Sequence, residues 1–304
     1  MTTTLLAVFL IVAALPVVAE LLRWPAKRGK SPGKFARLPS GVTHFRWHGP
    51  EDGPVAVCIH GLSTPSYVFA ATERSLASLG YRVLSYDLYG RGYSGRPARR
   101  QTSEFFCNQL NELLEDQGVE PPMLVVGYSM GGAVAAAFAA TERYRINKLV
   151  LIAPAGLLPV YDDFWGRLFV LPVVGDWATR VIGGWMLRRE LVEHRSNATI
   201  IPNLEDRQAE ETRKRGFLPA LLSSRRYMLR ESRDEDHREI ARTKLPVLAI
   251  WGAEDPVIPL KSMGRLAELN PDAHHAQVPG AGHLVLQTHP AQVAEALRKF
   301  LTED

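Results

Sequence analysis

A serine flanked by glycines is the first residue whose surroundings suggest chemistry. Ser129 is the centre of Gly127-Tyr128-Ser129-Met130-Gly131, which fits the pattern G-x-S-x-G between an apolar run and an alanine-rich stretch. A sharp strand-to-helix turn holds such a serine in a strained conformation, and the glycines leave room for close backbone approach. We predict that Ser129 is a nucleophile at a helix N-terminus, where partial positive charge favours a developing oxyanion. The plain alternative is an ordinary helix N-cap, for which serine is also favoured.

An acid and a histidine follow the serine in the chain order expected of a Ser-acid-His set. Asp255 lies in the stretch 252–256, after an apolar run, and His283 ends the stretch 279–283. Both are expected on loops after strands, where parallel sheets gather their reactive groups. We predict that His283 takes the proton of Ser129, and that Asp255 fixes the histidine tautomer and stabilises the imidazolium.

The candidate oxyanion hole consists of two backbone N–H groups. The sequence His60-Gly61-Leu62-Ser63 follows the first buried strand. The N–H of Leu62, paired with that of Met130, is predicted to stabilise the oxyanion. His60 is interpreted as a structural support for this loop rather than as a catalytic base.

Strand-length apolar runs alternate with helical patterns along the chain, and this order indicates a mostly parallel sheet covered by helices on both faces. The predicted strands are Val55–Ile59, Arg82–Tyr86, Met123–Val126, Lys148–Ala153, Leu245–Trp251 and His275–Val278. The predicted helices are Val68–Leu79, Ser103–Asp116, Gly131–Thr141 and Pro290–Leu301.

The alternation stops between Gly156 and Thr243, where no convincing strand is found, and this stretch is interpreted as a helical insertion. Its apolar side chains are interpreted as the core of that insertion, with an acyl pocket or a bilayer contact as the alternatives: Phe164, Leu168, Phe169, Trp177, Val181 and Trp185. The predicted division is an anchor or signal-like segment (1–22), a basic linker (23–41), a first core part (42–155), a helical cap (156–243) and a second core part (244–304).

The N-terminal segment is apolar from Leu5 to Ala19 and continues past Glu20 to Leu22. Its eighteen residues would form a helix about 27 Å long, which only just spans a bilayer core. A membrane anchor is favoured over a signal peptide, which would want basic residues before the apolar stretch, and over a buried helix, since nearly every face is apolar. The basic residues after the segment place the body in the cytoplasm by the positive-inside rule, whereas signal cleavage would give a secreted or periplasmic protein.

Charge and cysteine content exclude several classes of function. The chain carries a net charge of +4, but Met1 to Arg37 holds six basic residues and one acid, so the rest is close to neutral and no nucleic-acid surface is predicted. A basic group is interpreted as a solvated face, with binding of an anionic head group as the alternative: Arg91, Arg96, Arg99 and Arg100. Cys58 and Cys107 are not expected to pair, and no cluster has metal-ligand spacing, so neither a metal nor a cofactor is predicted.

Four motifs in order resemble those of the α/β-hydrolase superfamily, from about Val42 to the C-terminus. They are HGLS (60–63), DLYGRGYSGRP (87–97), GYSMGG (127–132), and WGAEDPVIP (251–259) with PGAGH (279–283). The resemblance implies an eight-stranded, mostly antiparallel-edged core with a helical cap. It also favours Asp255 over the neighbouring Glu254, because the family's acid directly precedes the proline, while Asp87 remains an alternative acid that more often ends a strand. A serine at position 129 argues against the dehalogenase and epoxide-hydrolase branches, which have aspartate there.

The resemblance implies a serine hydrolase similar to the monoacylglycerol-lipase and esterase branch, acting on a carboxylic ester of a lipophilic or lipid substrate. A carbon–carbon hydrolase of ring-cleavage products, which uses the same triad, is the second enzyme reading. A peptidase, or a non-catalytic protein that keeps the fold for binding, are further alternatives. The complete set of reactive residues disfavours the last of these.

Overall fold

One eight-stranded sheet organises the chain in the computed structural model, which describes residues 2–25, 31–161, 163–193 and 199–302. The strands are β1 (Lys34–Leu38), β2 (Gly41–His48), β3 (Val55–Ile59), β4 (Arg82–Tyr86), β5 (Met123–Tyr128), β6 (Ile146–Ile152), β7 (Val247–Gly252) and β8 (His274–Val278). Their order across the sheet is β1-β2-β4-β3-β5-β6-β7-β8.

The six strands from β3 to β8 pair in parallel, which confirms the predicted mostly parallel sheet. Antiparallel pairing is confined to one edge, where β1 pairs with β2 and β2 with β4. The other edge strand, β8, is parallel to its neighbour, so the expectation of mostly antiparallel edges holds on one side only.

The segment expected to be a basic linker contains an edge strand, which is a correction to residues 23–41. In β1, Ala36 and Leu38 are buried, while Phe35 is half-buried and Lys34 and Arg37 are exposed. In β2, Thr43 and His44 are buried beside Phe45, so its pattern does not look apolar. The basic residues Lys27, Arg28 and Lys30 of the predicted linker lie outside the described residues.

The described chain forms α1 (Thr2–Leu21), α2 (Ala70–Ser78), α3 (Ser103–Asp116), α4 (Met130–Thr141), α5 (Phe164–Phe169), α6 (Val174–Ala178), α7 (Gly184–Glu193), α8 (Leu204–Glu211), α9 (Phe217–Arg226), α10 (Asp234–Arg242), α11 (Lys261–Leu269), α12 (Val285–Thr288) and α13 (Pro290–Thr302). Alternate residues of each central strand enter two separate cores: Val57 and Ile59 lie with α3, α4, α10 and α11, while Ala56 and Cys58 lie with α2, α12 and α13. Helices therefore cover both faces of the sheet, as predicted.

Between β6 and β7 the described residues form helices joined by turns, from α5 to α10, and none of them belongs to a strand of the sheet. Its last helix, α10, packs against α4 and buries Ile240 in the core of the sheet, so α10 is part of the layer that covers the sheet. The part of the insertion that lies outside this layer therefore ends before α10. Phe164 and Trp185 are 71% and 58% exposed, so the interpretation of these side chains as a cap core is wrong.

Helix α1 is long and apolar enough to cross a membrane from Thr3 to Leu21, and it is the one such helix in the described part of the chain. None of its 18-residue apolar window is buried against the rest of the protein. The alternative of a buried core helix is therefore wrong for this segment.

Gly131, in the first turn of α4, is predicted to be indispensable for the fold. A Cβ atom there would lie 2.0 Å from the carbonyl oxygen of Ile59 and 2.5 Å from that of His60. Since the backbone of β3 cannot give way, Gly131→Ala should lower the free energy of unfolding by about 3 kcal/mol, measured by urea denaturation. Gly264→Ala in α11 is the matched control, because nothing lies within 4 Å of its added Cβ. The control should be stabilised by roughly 0.5–1 kcal/mol, and equal effects of the two changes would contradict the clash.

Candidate active site

Ser129 occupies the turn between β5 and α4 with φ 55° and ψ −120°, a strained conformation for a residue other than glycine. Two hydrogen bonds to the neighbouring strand hold it. Its N–H donates to the carbonyl of Ile152 at 2.9 Å, and its own carbonyl accepts from the N–H of Ala155 at 3.0 Å. Backbone strain that the surroundings fix in this way is typical of functional positions.

The structure brings Ser129, His283 and Asp255 into one hydrogen-bonded chain. Ser129 Oγ lies 2.9 Å from His283 Nε2, and His283 Nδ1 lies 2.8 Å from Asp255 Oδ2. The three residues come from the loops after β5, β8 and β7, which end at the same edge of the sheet. This is the geometry in which a histidine can accept a serine proton while a carboxylate holds its other nitrogen.

The Asp255 carboxylate is fully buried and firmly oriented. Its Oδ1 accepts the backbone N–H groups of Val257 and Ile258, both at 2.8 Å, which leaves Oδ2 for His283. The adjacent Glu254 is exposed, and its backbone N–H donates to Ala281. Of the two candidate acids in this loop, the structure therefore places Asp255 against the histidine.

Asp87, the other alternative acid, belongs to a different network. Its carboxylate accepts from His44 Nδ1 at 2.8 Å, from the N–H and hydroxyl of Ser66, and from the N–H of Tyr93 at 3.0 Å. The histidine and these hydrogen bonds hold the pKa of Asp87 well below its usual range, against the opposing effect of burial. Asp87 therefore joins β2, the loop after β4 and the chain before α2, as a turn-capping residue does.

Tyr128 is a site residue that the sequence reasoning did not single out. Its hydroxyl donates to the carbonyl of His283 at 2.7 Å, and its ring stacks on the imidazole with 5.6 Å between centroids. The sequence did indicate this position, because the residue before the nucleophile in G-x-S-x-G must lie beside the strand-to-helix turn. Tyr128 holds the loop that carries the histidine.

The loop 60–63 lies directly against the serine, where an oxyanion hole would be. A Cβ at Gly61 would be 3.2 Å from Ser129 Cβ, so the backbone approaches the serine closely. Among the described residues, no acceptor takes the N–H of Leu62 or of Met130. Both predicted donors are therefore available to a ligand.

Arg91 supports the loop 60–63 through a hydrogen bond to Leu62. The interpretation of Arg91 as part of a solvated face is wrong, because the side chain is buried. The side chain is fully buried; its Nε donates to the carbonyl of Leu62 at 2.9 Å, and its Nη2 donates to Ser224 Oγ of α9 at 2.8 Å. Nη1 donates to the carbonyl of Tyr89 and to Gln101. Burial lowers the pKa of Arg91 to about 9. Arg91, which the sequence places among basic surface residues, thus joins the loop 60–63 to α9 of the cap.

His60 supports the same loop as a neutral imidazole. Its Nε2 accepts the N–H of Leu88 at 2.9 Å, so the proton is on Nδ1, which donates to the carbonyl of Gly61 at 2.8 Å. Burial lowers its pKa to about 4. Its hydrogen bonds fit the structural role expected for it.

A pH dependence of stability follows from His60. Its pKa is near 6.5 when the chain is unfolded and about 4 when folded, so the unfolded state binds more protons between these values. The free energy of unfolding should therefore fall by up to roughly 3 kcal/mol from this residue as the pH decreases from 7 to 4.5. His60→Gln keeps one donor and one acceptor but does not titrate. The free energy of unfolding of the variant, measured by urea denaturation, should therefore fall less over this pH range, by the same amount. An unchanged slope in the variant would contradict the burial of a neutral His60.

Within the described residues, no group of three or more His, Cys, Asp or Glu side chains could hold a metal ion. Cys58 is buried in β3 and Cys107 is half-buried in α3, and both are free thiols. The serine, histidine and aspartate are thus the reactive groups to which the geometry points.

The profile of the α/β hydrolase fold family matches residues 54–290, more than half of the chain. The protein therefore belongs to this family. An enol-lactonase from Burkholderia xenovorans LB400 superposes with a TM-score of 0.75 at 20% identity, covering 89% of this chain and all of that one. This likeness confirms the fold.

Relatives of known name resemble the chain at low identity. A pimeloyl-[acyl-carrier protein] methyl ester esterase from Aliivibrio fischeri is 25% identical, over 86% of this chain and 99% of its own length. A 2-hydroxy-6-oxo-6-(2'-aminophenyl)hexa-2,4-dienoic acid hydrolase from Metapseudomonas resinovorans is 23% identical, over 73% and 74% of the two chains. Family membership and such relatives support hydrolase activity.

Proposed function

We propose that the protein is a serine hydrolase that cleaves a carboxylic ester of a lipophilic or lipid substrate through an acyl-enzyme. The observation that carries the proposal is the hydrogen-bonded chain from Asp255 through His283 to Ser129, next to two N–H groups that have no acceptor among the described residues. Ser129 is the nucleophile, His283 the general base and Asp255 the acid that orients it.

In the first half of the reaction, Ser129 Oγ attacks the ester carbonyl while His283 Nε2 takes its proton. The N–H groups of Leu62 and Met130 stabilise the oxyanion. The imidazolium then donates its proton to the departing alkoxide, and the alcohol leaves. Asp255, held by two backbone N–H groups, stabilises the imidazolium.

In the second half, a water molecule takes the place of the alcohol. His283 removes its proton, and the resulting attack on the acyl-serine carbon releases the carboxylic acid and restores Ser129. No metal or cofactor takes part in these steps.

Two features support a lipophilic substrate. Leu62, on the oxyanion loop, packs against an apolar cluster of α9 formed by Phe217, Leu218 and Leu221, so the carbonyl site adjoins apolar side chains. We also propose that α1 anchors the protein in a membrane, because its apolar window is uncovered. The basic residues that follow it favour a body that faces the cytoplasm. An anchored enzyme meets substrates that partition into lipid more often than a freely diffusing one does.

The test measures the full chain in detergent with nitrophenyl esters of increasing acyl length. Turnover should pass through a maximum at one chain length, and a fluorophosphonate should label the tryptic peptide that contains Ser129. Folded protein that neither turns over any ester nor takes the label would refute the proposal and favour a binding protein.

Carbon–carbon hydrolysis of a ring-cleavage product is the second candidate, because one relative carries the name of such an enzyme. Its anionic substrate would need cations near Ser129. Arg91 is buried with its donors engaged by protein acceptors, which favours the ester. A dienoate substrate offered alongside the esters discriminates the two, since the favoured substrate should exceed the other in kcat/KM by at least about tenfold.

A further inference from the structure

The exposed large apolar side chains of the described residues are concentrated in α1, Leu22, Trp24 and residues 161–200, with Tyr144 as the one exception. We call the cap part of this set the apolar face: Phe164, Trp165, Leu171, Val173, Val174 and Trp185. Val173 is 79% exposed and Trp165 is 61% exposed. The elements that carry them pack together, since α5 contacts α6 and residues 179–183 contact both α6 and α7. A large exposed apolar set of this kind indicates a surface covered by something other than water.

Helix α1 lies along the cap beside this face. Trp177 Nε1, in α6, donates to the carbonyl of Val12 at 2.8 Å. Val12 is nine residues before the end of α1 at Leu21, which corresponds to about 13 Å along the helix. If α1 enters a bilayer, α6 and its neighbours must therefore enter with it, because they lie beside the middle of α1.

The C-terminal end of α1 is fixed to the cap by several hydrogen bonds. The N–H of Trp24 donates to the carbonyl of Arg213 at 3.0 Å, and the N–H of Arg215 donates to the carbonyl of Trp24 at 2.8 Å. The Arg215 guanidinium caps the carbonyl of Leu21 at 2.7 Å, and the Glu20 carboxylate accepts the N–H of Gly216. These hydrogen bonds fix the position of the cap along the axis of α1, relative to the C-terminal end of that helix.

A cavity of about 260 Å³ opens at this junction, and its lining combines three arginines (Arg23, Arg188 and Arg213) and two tryptophans (Trp24 and Trp185) with Thr212 and four small or apolar residues. Arg23 pairs with Glu20 at 2.7 Å, and Arg188 donates to Thr212 Oγ1 at 2.8 Å. Among the side chains that the structure describes, no carboxylate forms an ion pair with Arg188 or Arg213. Burial and the cations Arg213 and Arg23 lower the pKa of Arg188, so the cavity holds positive charge that an anion would relieve.

We propose that this cavity binds the phosphate of an anionic phospholipid headgroup, in a bilayer that covers α1 and the apolar face. The cavity lies at the depth at which a headgroup is expected, because it adjoins the end of the apolar helix α1. Two tryptophans flank it, and tryptophans favour the membrane–water interface. Guanidinium groups suit phosphate because their planar N–H donors match its oxygens. The proposal rests on the membrane anchor proposed above, but not on the ester chemistry.

The test uses the full chain in a neutral detergent and measures its thermal midpoint during titration with short-chain phosphatidylglycerol, phosphatidylcholine or inorganic phosphate. Phosphatidylglycerol should raise the midpoint saturably, because a ligand that binds only the folded state stabilises it. Phosphatidylcholine should do so much more weakly. Equal shifts by the two lipids, or the same affinity for inorganic phosphate as for phosphatidylglycerol, would overturn the lipid assignment.

The variant Arg188→Gln/Arg213→Gln should weaken the phosphatidylglycerol affinity by at least about tenfold. Arg238→Gln/Arg242→Gln is the matched control, because it removes the same charge from ion pairs on the exposed side of α10. It should leave the affinity within about twofold of the parent, and equal losses in the two double variants would contradict a specific site.

Two further measurements separate this proposal from the ester proposal. The intact mass of protein recovered from membranes should include α1, and a mass beginning after Leu22 would overturn the headgroup site while leaving ester hydrolysis open. Nitrophenyl ester turnover of the two double variants, measured in the same detergent without added lipid, should equal that of the parent. Loss of turnover in the parent with intact phosphatidylglycerol binding would refute the ester proposal alone.

Discussion

Ser129→Ala should lower kcat for the preferred ester by about 10⁶-fold and abolish labelling by a fluorophosphonate. The loss is large because no other hydroxyl is hydrogen-bonded to His283 among the described residues, and the strained turn presents the side chain at position 129 alone. Removing the hydroxyl oxygen adds little space and leaves the backbone unchanged, so KM should stay within a few fold of the parent value.

Ser78→Ala provides the control, because this serine is exposed in α2 and bonds only to a local carbonyl. It should retain full activity. Residual activity of Ser129→Ala within tenfold of the parent would contradict the assignment of the nucleophile, provided that circular dichroism shows both variants folded.

Asp255→Asn should lower kcat by about 10⁴-fold through the wrong histidine tautomer. Val257 and Ile258 both donate to one carboxylate oxygen, so an asparagine must place its carbonyl oxygen there and its NH₂ towards His283. His283 Nδ1 would then accept a hydrogen bond, and the proton would move to Nε2. An Nε2 that carries a proton cannot remove the proton of Ser129.

The control for this prediction is the neighbouring residue. Glu254→Gln makes the same chemical change one position earlier on an exposed side chain, and kcat should stay within about twofold of the parent. Proton NMR of the imidazole nitrogens provides a second measurement, since the Asn variant should show the proton on Nε2. A tautomer unchanged from the parent would contradict the mechanism even if activity fell.

The central strands could be predicted from the sequence because burial on both faces makes them continuous apolar runs. Val55–Ile59 and Arg82–Tyr86 were predicted with the bounds that β3 and β4 have. The first two strands, β1 and β2, could not be found in this way. In β2 the buried Thr43 and His44 are polar, and their side chains bond to Gln109 and Asp87, which are distant in the chain.

The reactive residues of the candidate site were visible because each stands in a short local pattern after a strand. Arg91 and Tyr128 were not, because their roles depend on partners that folding brings together. Arg91 meets Ser224 across 133 positions of the chain, and Tyr128 meets the carbonyl of His283 across 155. A basic residue among other basic residues gives no local sign that it will be buried.

The attachment of α1 to the cap was equally invisible in the sequence. Hydropathy indicates an apolar helix, but the bond from Trp177 to Val12 joins residues 165 positions apart. The exposure of Phe164 and Trp185 likewise depends on which helices cover them. Composition alone does not distinguish the aromatic side chains that become buried from those that stay on the surface.

The helices between β6 and β7 carry a consequence for how this protein can diverge. Ser129 precedes this insertion, and Asp255 and His283 follow it, so the insertion can change in sequence without touching the reacting groups. The same insertion holds the end of α1 through residues 213–216. Under the proposed membrane anchor, substitutions in the insertion that change substrate preference would therefore also alter the attachment of α1, and selection would act on the two traits together. Directed evolution of the cap would face the same linkage.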